Sequence, residues 1–104
     1  MIDKETFYKD VYSVVKEIPR GKVISYGEIA RLIGWPQHAR MVGKVLSQVS
    51  PELNLPCHRV VDSKGRTVLG WEAHRQLLEE EGIIFNANGC VNMKKYAFTV
   101  NSYQ

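Results

Sequence analysis

Two short helical segments separated by helix-breaking residues constrain the fold of this chain more than any other feature. Residues 25–33 are followed by Gly34 and Pro36, and a second segment begins near Gln37 and keeps helical apolar spacing as far as Val49. Glycine and proline are the two residues least compatible with a helix interior, so the segments must form separate helices joined by a tight turn. This pattern predicts a helix-turn-helix with the second segment in the recognition position.

The recognition segment has one apolar and one polar face. The apolar positions are Met41, Val42, Val45, Leu46 and Val49, and the polar positions are His38, Arg40, Lys44 and Gln48. The polar side chains suit phosphates or base edges, although an ordinary solvated helix face has a similar composition. The preceding helix should begin with a capping box, in which the Ser25 hydroxyl and the Glu28 carboxylate each accept from a free amide.

The rest of the chain predicts two further helices and several short strands. One helix should begin at Asp3 and end at Pro19, and another should span residues 72–81 and end at Gly82. Short strands are expected at residues 56–61 and 67–69 around a turn at 62–65, and a hairpin at Asn88-Gly89 should join residues 83–85 to 91–98. We therefore expect an α+β fold, mostly helical, of the winged helix-turn-helix-like type, in which residues 1–104 form one domain.

Charge and cysteine content narrow the range of functions. A formal net charge of +3 and a pI near 9.0 favour a polyanionic partner, although a slightly basic domain without such a partner is equally compatible. Cys57 and Cys90 are far apart and match no metal-binding or disulfide spacing, so no metal and no cofactor are expected. The opening residues contain no signal peptide or membrane span, which predicts a cytoplasmic protein, or a nuclear one in a eukaryote. No dimerisation segment is evident, so we expect a monomer.

The run from Pro56 to Val61, PCHRVV, is the most informative for chemistry. A cysteine can act as a nucleophile when a base removes its proton, because a free thiol of pKa about 8.5 is mostly protonated at neutral pH. Adjacent side chains of an extended segment point to opposite sides, so a water molecule is expected to link Cys57 to His58. The alternative is that Cys57 is a small buried apolar residue, which is the role predicted for Cys90.

Four runs in the same order resemble the O6-alkylguanine-DNA alkyltransferases, also called methylated-DNA–protein-cysteine methyltransferases. They are residues 18–23 (IPRGKV), 25–30 (SYGEIA), 39–43 (ARMVG) and 56–61 (PCHRVV), within a match from about Phe7 to Gly82. The resemblance implies a protein that binds the minor groove of double-stranded DNA, rotates an O6-alkylated guanine out of the helix and moves its alkyl group irreversibly to a cysteine.

The resemblance also implies a role for individual residues. Cys57 is the alkyl acceptor, His58 its water-linked base and Glu81 the carboxylate that orients the histidine. Tyr26 assists the leaving guanine by donating a hydrogen bond or a proton. Arg40 fills the gap left by the rotated base, and the small Ala39 and Gly43 allow close approach to the minor groove. The predicted DNA-binding residues are Arg40, Ala39, Gly43, Lys44, Arg59 and Trp71.

Two departures from the family pattern introduce an alternative function. The glycine-rich pocket loop of the family, Gly-Tyr-x-Gly-Gly, is represented here by Gly70-Trp71-Glu72-Ala73, and the family's hinge asparagine is replaced near Val49 and Ser50. An altered pocket is typical of alkyltransferase-like proteins, which resemble this family, usually replace its cysteine, bind alkylated DNA without repairing it and pass the lesion to nucleotide excision repair proteins. Because Cys57 is retained, alkyl transfer is the first expectation and lesion sensing the alternative.

A helix-turn-helix transcription factor is a third class of function. Such a protein would read base sequence in the major groove, and commonly as a dimer on paired half-sites. It would show sequence preference without lesion preference, and its binding, like that of the other two classes, would weaken as salt rises.

Overall fold

The computed structural model describes residues 2–99 of the chain. Helix α1 spans Lys4–Lys16, strand β1 Ile24–Ser25, helix α2 Tyr26–Leu32, helix α3 Ala39–Ser47, strand β2 Val60–Val61, helix α4 Ala73–Glu80 and helix α5 Met93–Tyr96. Single turns of 3-10 helix lie at Pro51–Leu53 and Cys57–Arg59. The expected α+β, mostly helical, winged helix-turn-helix-like class is confirmed. None of the helices in the described range is both long and apolar enough to cross a membrane.

Helix α1 provides the apolar face against which the helix-turn-helix packs. Phe7, Val11, Val14 and Val15 are buried at the predicted helical spacing. Asp3 lies at the N-cap as predicted, but its carboxylate accepts from the Thr6 hydroxyl (2.7 Å) rather than from a backbone amide. The helix begins close to the predicted position and ends at Lys16, before the predicted end.

The predicted helix-turn-helix consists of α2 and α3. Ser25 caps α2 by accepting from the Glu28 amide at 3.0 Å, which is one half of the predicted capping box. The other half is wrong, because the Glu28 carboxylate accepts from the Arg31 guanidinium at 2.6 and 2.9 Å instead. The two helices share a buried interface of Ile29, Ala30, Val42 and Val45 with α1.

Strands β1 and β2 pair in parallel, with Ile24 opposite Val60. The predicted strand at 56–61 is therefore reduced to its last two residues. Residues Cys57–Arg59 form a turn of 3-10 helix, and the chain becomes extended and pairs with β1 only after that turn. Pairing of β1 with β2 joins the start of the helix-turn-helix directly to the segment that carries Cys57.

Two predicted strands are absent from the second half of the described chain. Residues 67–69 have no strand partner, and the Leu69 side chain is fully exposed. The hairpin at 83–91 is present. The Asn86 amide donates to the Cys90 carbonyl at 2.9 Å, and Phe85 and Val91 form an antiparallel β-bridge. Residues 93–96, predicted as strand, form helix α5, because the Asn92 side chain accepts from the Lys95 amide and caps a helical turn.

Candidate DNA-lesion site

A cavity of about 530 Å³ lies between α3 and the turn that carries Cys57. Its walls are formed by Tyr26, Gly43, Leu46, Ser47, Val49, Ser50, Pro51, Asn54, Leu55, Cys57, His58, Val68 and Trp71. This volume falls within the range that holds small organic ligands, and its lining is largely apolar with a few polar groups. Five of these lining residues belong to the site predicted from the sequence: Cys57, His58, Tyr26, Gly43 and Trp71.

The Glu81 carboxylate is the centre of a hydrogen-bond network behind this cavity. It accepts from the His58 Nε2 at 2.5 Å, from the Arg59 Nε at 3.0 Å and from the Gly21 amide at 2.8 Å. A terminal nitrogen of Arg59 also donates to the Ile18 carbonyl at 2.8 Å. The network joins the predicted base and its orienting carboxylate to the loop that follows α1.

The network fixes which nitrogen of His58 carries a proton. Burial raises the pKa of Glu81, but the Gly21 amide, His58 and Arg59 together outweigh burial and hold the pKa below its ordinary value. An ionised carboxylate only accepts, so His58 Nε2 must donate to it. In the neutral imidazole the proton-accepting nitrogen is then Nδ1. No hydrogen bond joins Cys57 to His58 in the part of the chain that the structure describes, and the water-mediated link stays a prediction.

Replacing Glu81 by glutamine should lower the free energy of unfolding by about 2–4 kcal/mol at pH 7, because Arg59 would lose its buried counter-charge. The Glu81 pKa is lower in the folded protein than in the unfolded chain, so its contribution is complete above the unfolded pKa and is lost as pH falls through the folded pKa. Urea unfolding of both proteins should therefore show a difference that shrinks below about pH 4.5. An equal difference at pH 3 and pH 7 would contradict this role.

The two other reactive groups in the cavity are held in their protonated forms. Burial raises the pKa of the Cys57 thiol, although its backbone partly offsets the effect. Burial, with smaller contributions from Asp62 and Cys57, also raises the pKa of Tyr26. Cys57 is therefore a thiol at neutral pH without a preformed thiolate, and Tyr26 is a phenol that can donate a hydrogen bond.

The predicted DNA-binding residues divide into three groups. Arg40 and Lys44 lie exposed on α3, where the recognition segment was expected to present them, with Ala39 partly buried beside them. Gly43 and Trp71 line the cavity. The Arg59 guanidinium is engaged inside the protein by Glu81 and the Ile18 carbonyl, so the structure gives it a stabilising contact in place of an open phosphate-binding position.

The sequence prediction assigned no role to Asn54, in the wall of the cavity, or to His74, behind that wall. Asn54 lines the cavity and adopts a left-handed conformation (φ 51°), which closes the Pro51–Leu53 turn. The position of an asparagine before an apolar run was a usable signal, since asparagine tolerates this conformation better than most residues. His74 is fully buried behind Trp71, and helical periodicity alone gave no reason to single it out.

The sequence matches the model of the family described as 6-O-methylguanine DNA methyltransferase, DNA binding domain, over residues 6–83, three quarters of the 104-residue chain. The chain belongs to this family. The expected resemblance is thereby confirmed, and the matched range includes every catalytic and DNA-binding residue predicted above.

The chain is similar in sequence to three relatives of known name. Alkyltransferase-like protein 1 of Schizosaccharomyces pombe is 45% identical over 84 residues, covering 76% of this chain and 78% of that protein. A DNA base-flipping protein of Vibrio parahaemolyticus is 38% identical over 95 residues, covering 88% of this chain and 95% of its own. A methylated-DNA–protein-cysteine methyltransferase of Methanosarcina acetivorans is 38% identical over 79 residues, covering 73% of this chain and 51% of its own.

A solved structure also supports the family fold. The crystal structure of Schizosaccharomyces pombe Atl1 in complex with damaged DNA containing O6-carboxymethylguanine superposes with a TM-score of 0.83 at 38% identity, covering 96% of this chain and all of that one. The alkyltransferase-like relative and the base-flipping relative are each matched over more of their own length than the methyltransferase, of which the chain spans about half.

Proposed function

We propose that this protein acts in DNA repair by binding O6-alkylguanine in double-stranded DNA and holding the rotated base in the Cys57 cavity. The observation that carries the proposal is the cavity itself, which lies directly against the recognition helix α3 and has Tyr26 and Trp71 among its walls. Aromatic walls offer stacking surfaces to a base that has left the duplex. The relative Atl1 is crystallised with O6-carboxymethylguanine DNA, and a second relative is named for base flipping.

The exposed surface of α3 supports an approach through the minor groove. Arg40 projects from the first turn of the helix, between the partly buried Ala39 and the glycine at 43, so a long cation is flanked by small side chains. Small residues allow a helix backbone to approach the groove floor, and an inserted arginine can occupy the space of the displaced base. Lys44 is exposed one turn further along and is available to a phosphate. Lesion binding is expected in the cytoplasm, or in the nucleus of a eukaryote.

The test is a competition between two duplexes of one sequence, with O6-methylguanine or guanine at a single position, at fixed ionic strength. We expect a preference for the lesion of at least about 100-fold, and affinity for both duplexes should fall as salt increases. Arg40→Ala should reduce the lesion preference by roughly 5- to 100-fold, while Arg75→Ala on α4 serves as a charge-matched control. Equal affinities of the wild-type protein for the two duplexes would contradict the proposal.

Alkyl transfer to Cys57 is a second candidate, favoured by the sulfur in the same cavity as His58. The thiol proton would pass through a water molecule to His58 Nδ1, and the sulfur would attack the alkyl carbon. The bond between the alkyl carbon and O6 breaks as the bond between the sulfur and the alkyl carbon forms. The electron pair of the broken bond stays on the guanine. The Tyr26 phenol donates a hydrogen bond to the leaving base, which takes back one proton from the site. If transfer does not occur, removing the bound lesion requires partners, for which nucleotide excision repair proteins are the expected candidates.

Intact-mass spectrometry separates the two functions. Incubation with an O6-benzylguanine duplex should add one benzyl group to the protein if transfer occurs, and Cys57→Ala should abolish the adduct while Cys90→Ala retains it. Because the Cys57 pKa is raised, the transfer rate should increase with pH across the neutral range. No adduct at saturating DNA would leave lesion binding as the function, and loss of lesion preference in Cys57→Ala would count against a pure sensor.

A further inference from the structure

His74 is the one fully buried polar side chain in residues 2–99, and both of its ring nitrogens are engaged. Its Nδ1 lies 2.9 Å from the Val68 amide nitrogen, and its Nε2 lies 2.7 Å from the His58 carbonyl oxygen. The residue is on α4, outside the network centred on Glu81. Its two partners belong to two different segments of the cavity wall, since Val68 and His58 both line the cavity.

The two hydrogen bonds determine the protonation state of the ring. A backbone amide only donates, so Nδ1 must carry a lone pair, and a carbonyl only accepts, so Nε2 must carry the hydrogen. His74 is therefore neutral. Burial lowers its pKa, the hydrogen bond to the His58 carbonyl raises it, and the nearby His58 side chain lowers it further. A proton on Nδ1 would remove the acceptor of the Val68 amide.

His74 also supports the aromatic wall of the cavity. The Trp71 ring stacks on the imidazole with 4.5 Å between centroids and 24° between planes. The segment that carries Val68 and Trp71 has no strand partner, and Leu69 between them is fully exposed. Of the titratable groups on the surrounding elements, His58 faces the ring from the 3-10 turn, and Arg75 of α4 is directed to Glu79 and the Phe85 ring.

We propose that neutral His74 is a positioning residue that clamps the Val68–Trp71 wall to the Cys57–His58 turn and keeps the cavity in the shape that accepts the base. Protonation of His74 would break one of its two hydrogen bonds and release that wall. The lesion-binding part of this inference rests on the proposed function, whereas the clamp itself concerns the free protein.

The free protein is tested first, with Trp71 as reporter. In a Trp35→Phe background Trp71 is the remaining tryptophan of the chain, and a protonated imidazole stacked on it quenches its fluorescence. We expect a fluorescence transition at a pH below about 6.5, the ordinary histidine value, that disappears in His74→Gln and persists in His58→Gln. A transition that persists in His74→Gln, or one with its midpoint above that value, would overturn the inference.

Two variants separate the two hydrogen bonds. Asparagine places its amide near the Nδ1 position and can still accept from Val68, whereas glutamine reaches the Nε2 position and can still donate to His58. We expect His74→Gln to lose hydrogen-exchange protection at the Val68 amide by at least about 10-fold and His74→Asn to retain it. Equal protection in the two variants would contradict the assigned geometry. If a variant does not fold, the fluorescence titration of the Trp35→Phe protein and its His58→Gln derivative still decides the matter.

Lesion binding provides the last comparison. His74→Gln should lower the preference for O6-methylguanine DNA by about 10-fold, with the affinity for undamaged DNA unchanged, because the released wall contacts only the rotated base. If the wild-type protein itself shows no lesion preference, the proposed function fails while the fluorescence and exchange measurements still test the clamp. If both His74 variants keep the wild-type preference, the clamp has no role in recognition and the proposed function stands.

Discussion

Replacing Gly43 by leucine should abolish the preference for O6-alkylguanine, a loss of about 100-fold or more in the ratio of the affinities for the two duplexes. Gly43 lines the cavity from α3, and a Cβ at this position would lie 3.7 Å from the Cδ1 and Cε1 atoms of Tyr26. An alanine therefore fits in ordinary contact. The additional carbons of leucine extend beyond that contact into the space that the base requires.

The Gly43 variants should fold, because both replacements are better helix formers than glycine by about 0.8–1 kcal/mol. Gly43→Ala is the matched control, expected to be slightly more stable than the wild type and to keep most of the lesion preference. Dissociation constants for the O6-methylguanine and guanine duplexes measure the effect for all three proteins. A Gly43→Leu protein with the wild-type ratio of constants would show that the base binds elsewhere.

Replacing Gly65 by alanine should produce the largest loss of stability, about 2–5 kcal/mol. Gly65 has a φ of +87°, and a Cβ there would lie 2.3 Å from the Val91 carbonyl oxygen and 2.9 Å from the Val91 nitrogen. The clash is with backbone that is held in place, because the Val91 amide donates to the Gly65 carbonyl at 2.8 Å. The contact joins the turn after β2 to the C-terminal hairpin.

Gly89→Ala is the control that separates the clash from the backbone strain. Gly89 has a similar φ of +84°, but a Cβ there would meet nothing within 4 Å, so only the strain of about 1–2 kcal/mol should appear. Thermal unfolding should show a decrease in Tm on the order of 10–30 °C for Gly65→Ala and a much smaller one for Gly89→Ala. Equal decreases would mean that Val91 moves away at little cost.

The helix-turn-helix could be predicted because its signals are local. The break at Gly34 and Pro36 and the cap at Ser25 act within a few residues, and the observed α2 and α3 begin within two residues of the predicted positions. The strand at 56–61 could not be predicted correctly by the same means. Its pairing partner Ile24 lies more than thirty residues away, so periodicity could not show that only Val60 and Val61 would pair.

The candidate site shows the same division between local and distant signals. Cys57 and His58 are adjacent in sequence, and this pair indicates a possible nucleophile and base, whereas only the family resemblance predicts a role for Glu81. The Gly21 amide and the Ile18 carbonyl, which complete the network around Glu81 and Arg59, carry no side-chain signal. His74 was missed because a single histidine on an amphipathic helix has no pattern that predicts burial with two backbone partners.

The most direct measurement is a crystal structure of this protein bound to a duplex with one O6-methylguanine. We expect the modified guanine to lie in the cavity between Tyr26 and Trp71, with its O6 substituent towards the Cys57 sulfur and Arg40 in the gap left in the helix. A bound duplex in which the modified guanine remains stacked in the helix, with the cavity empty, would contradict this placement.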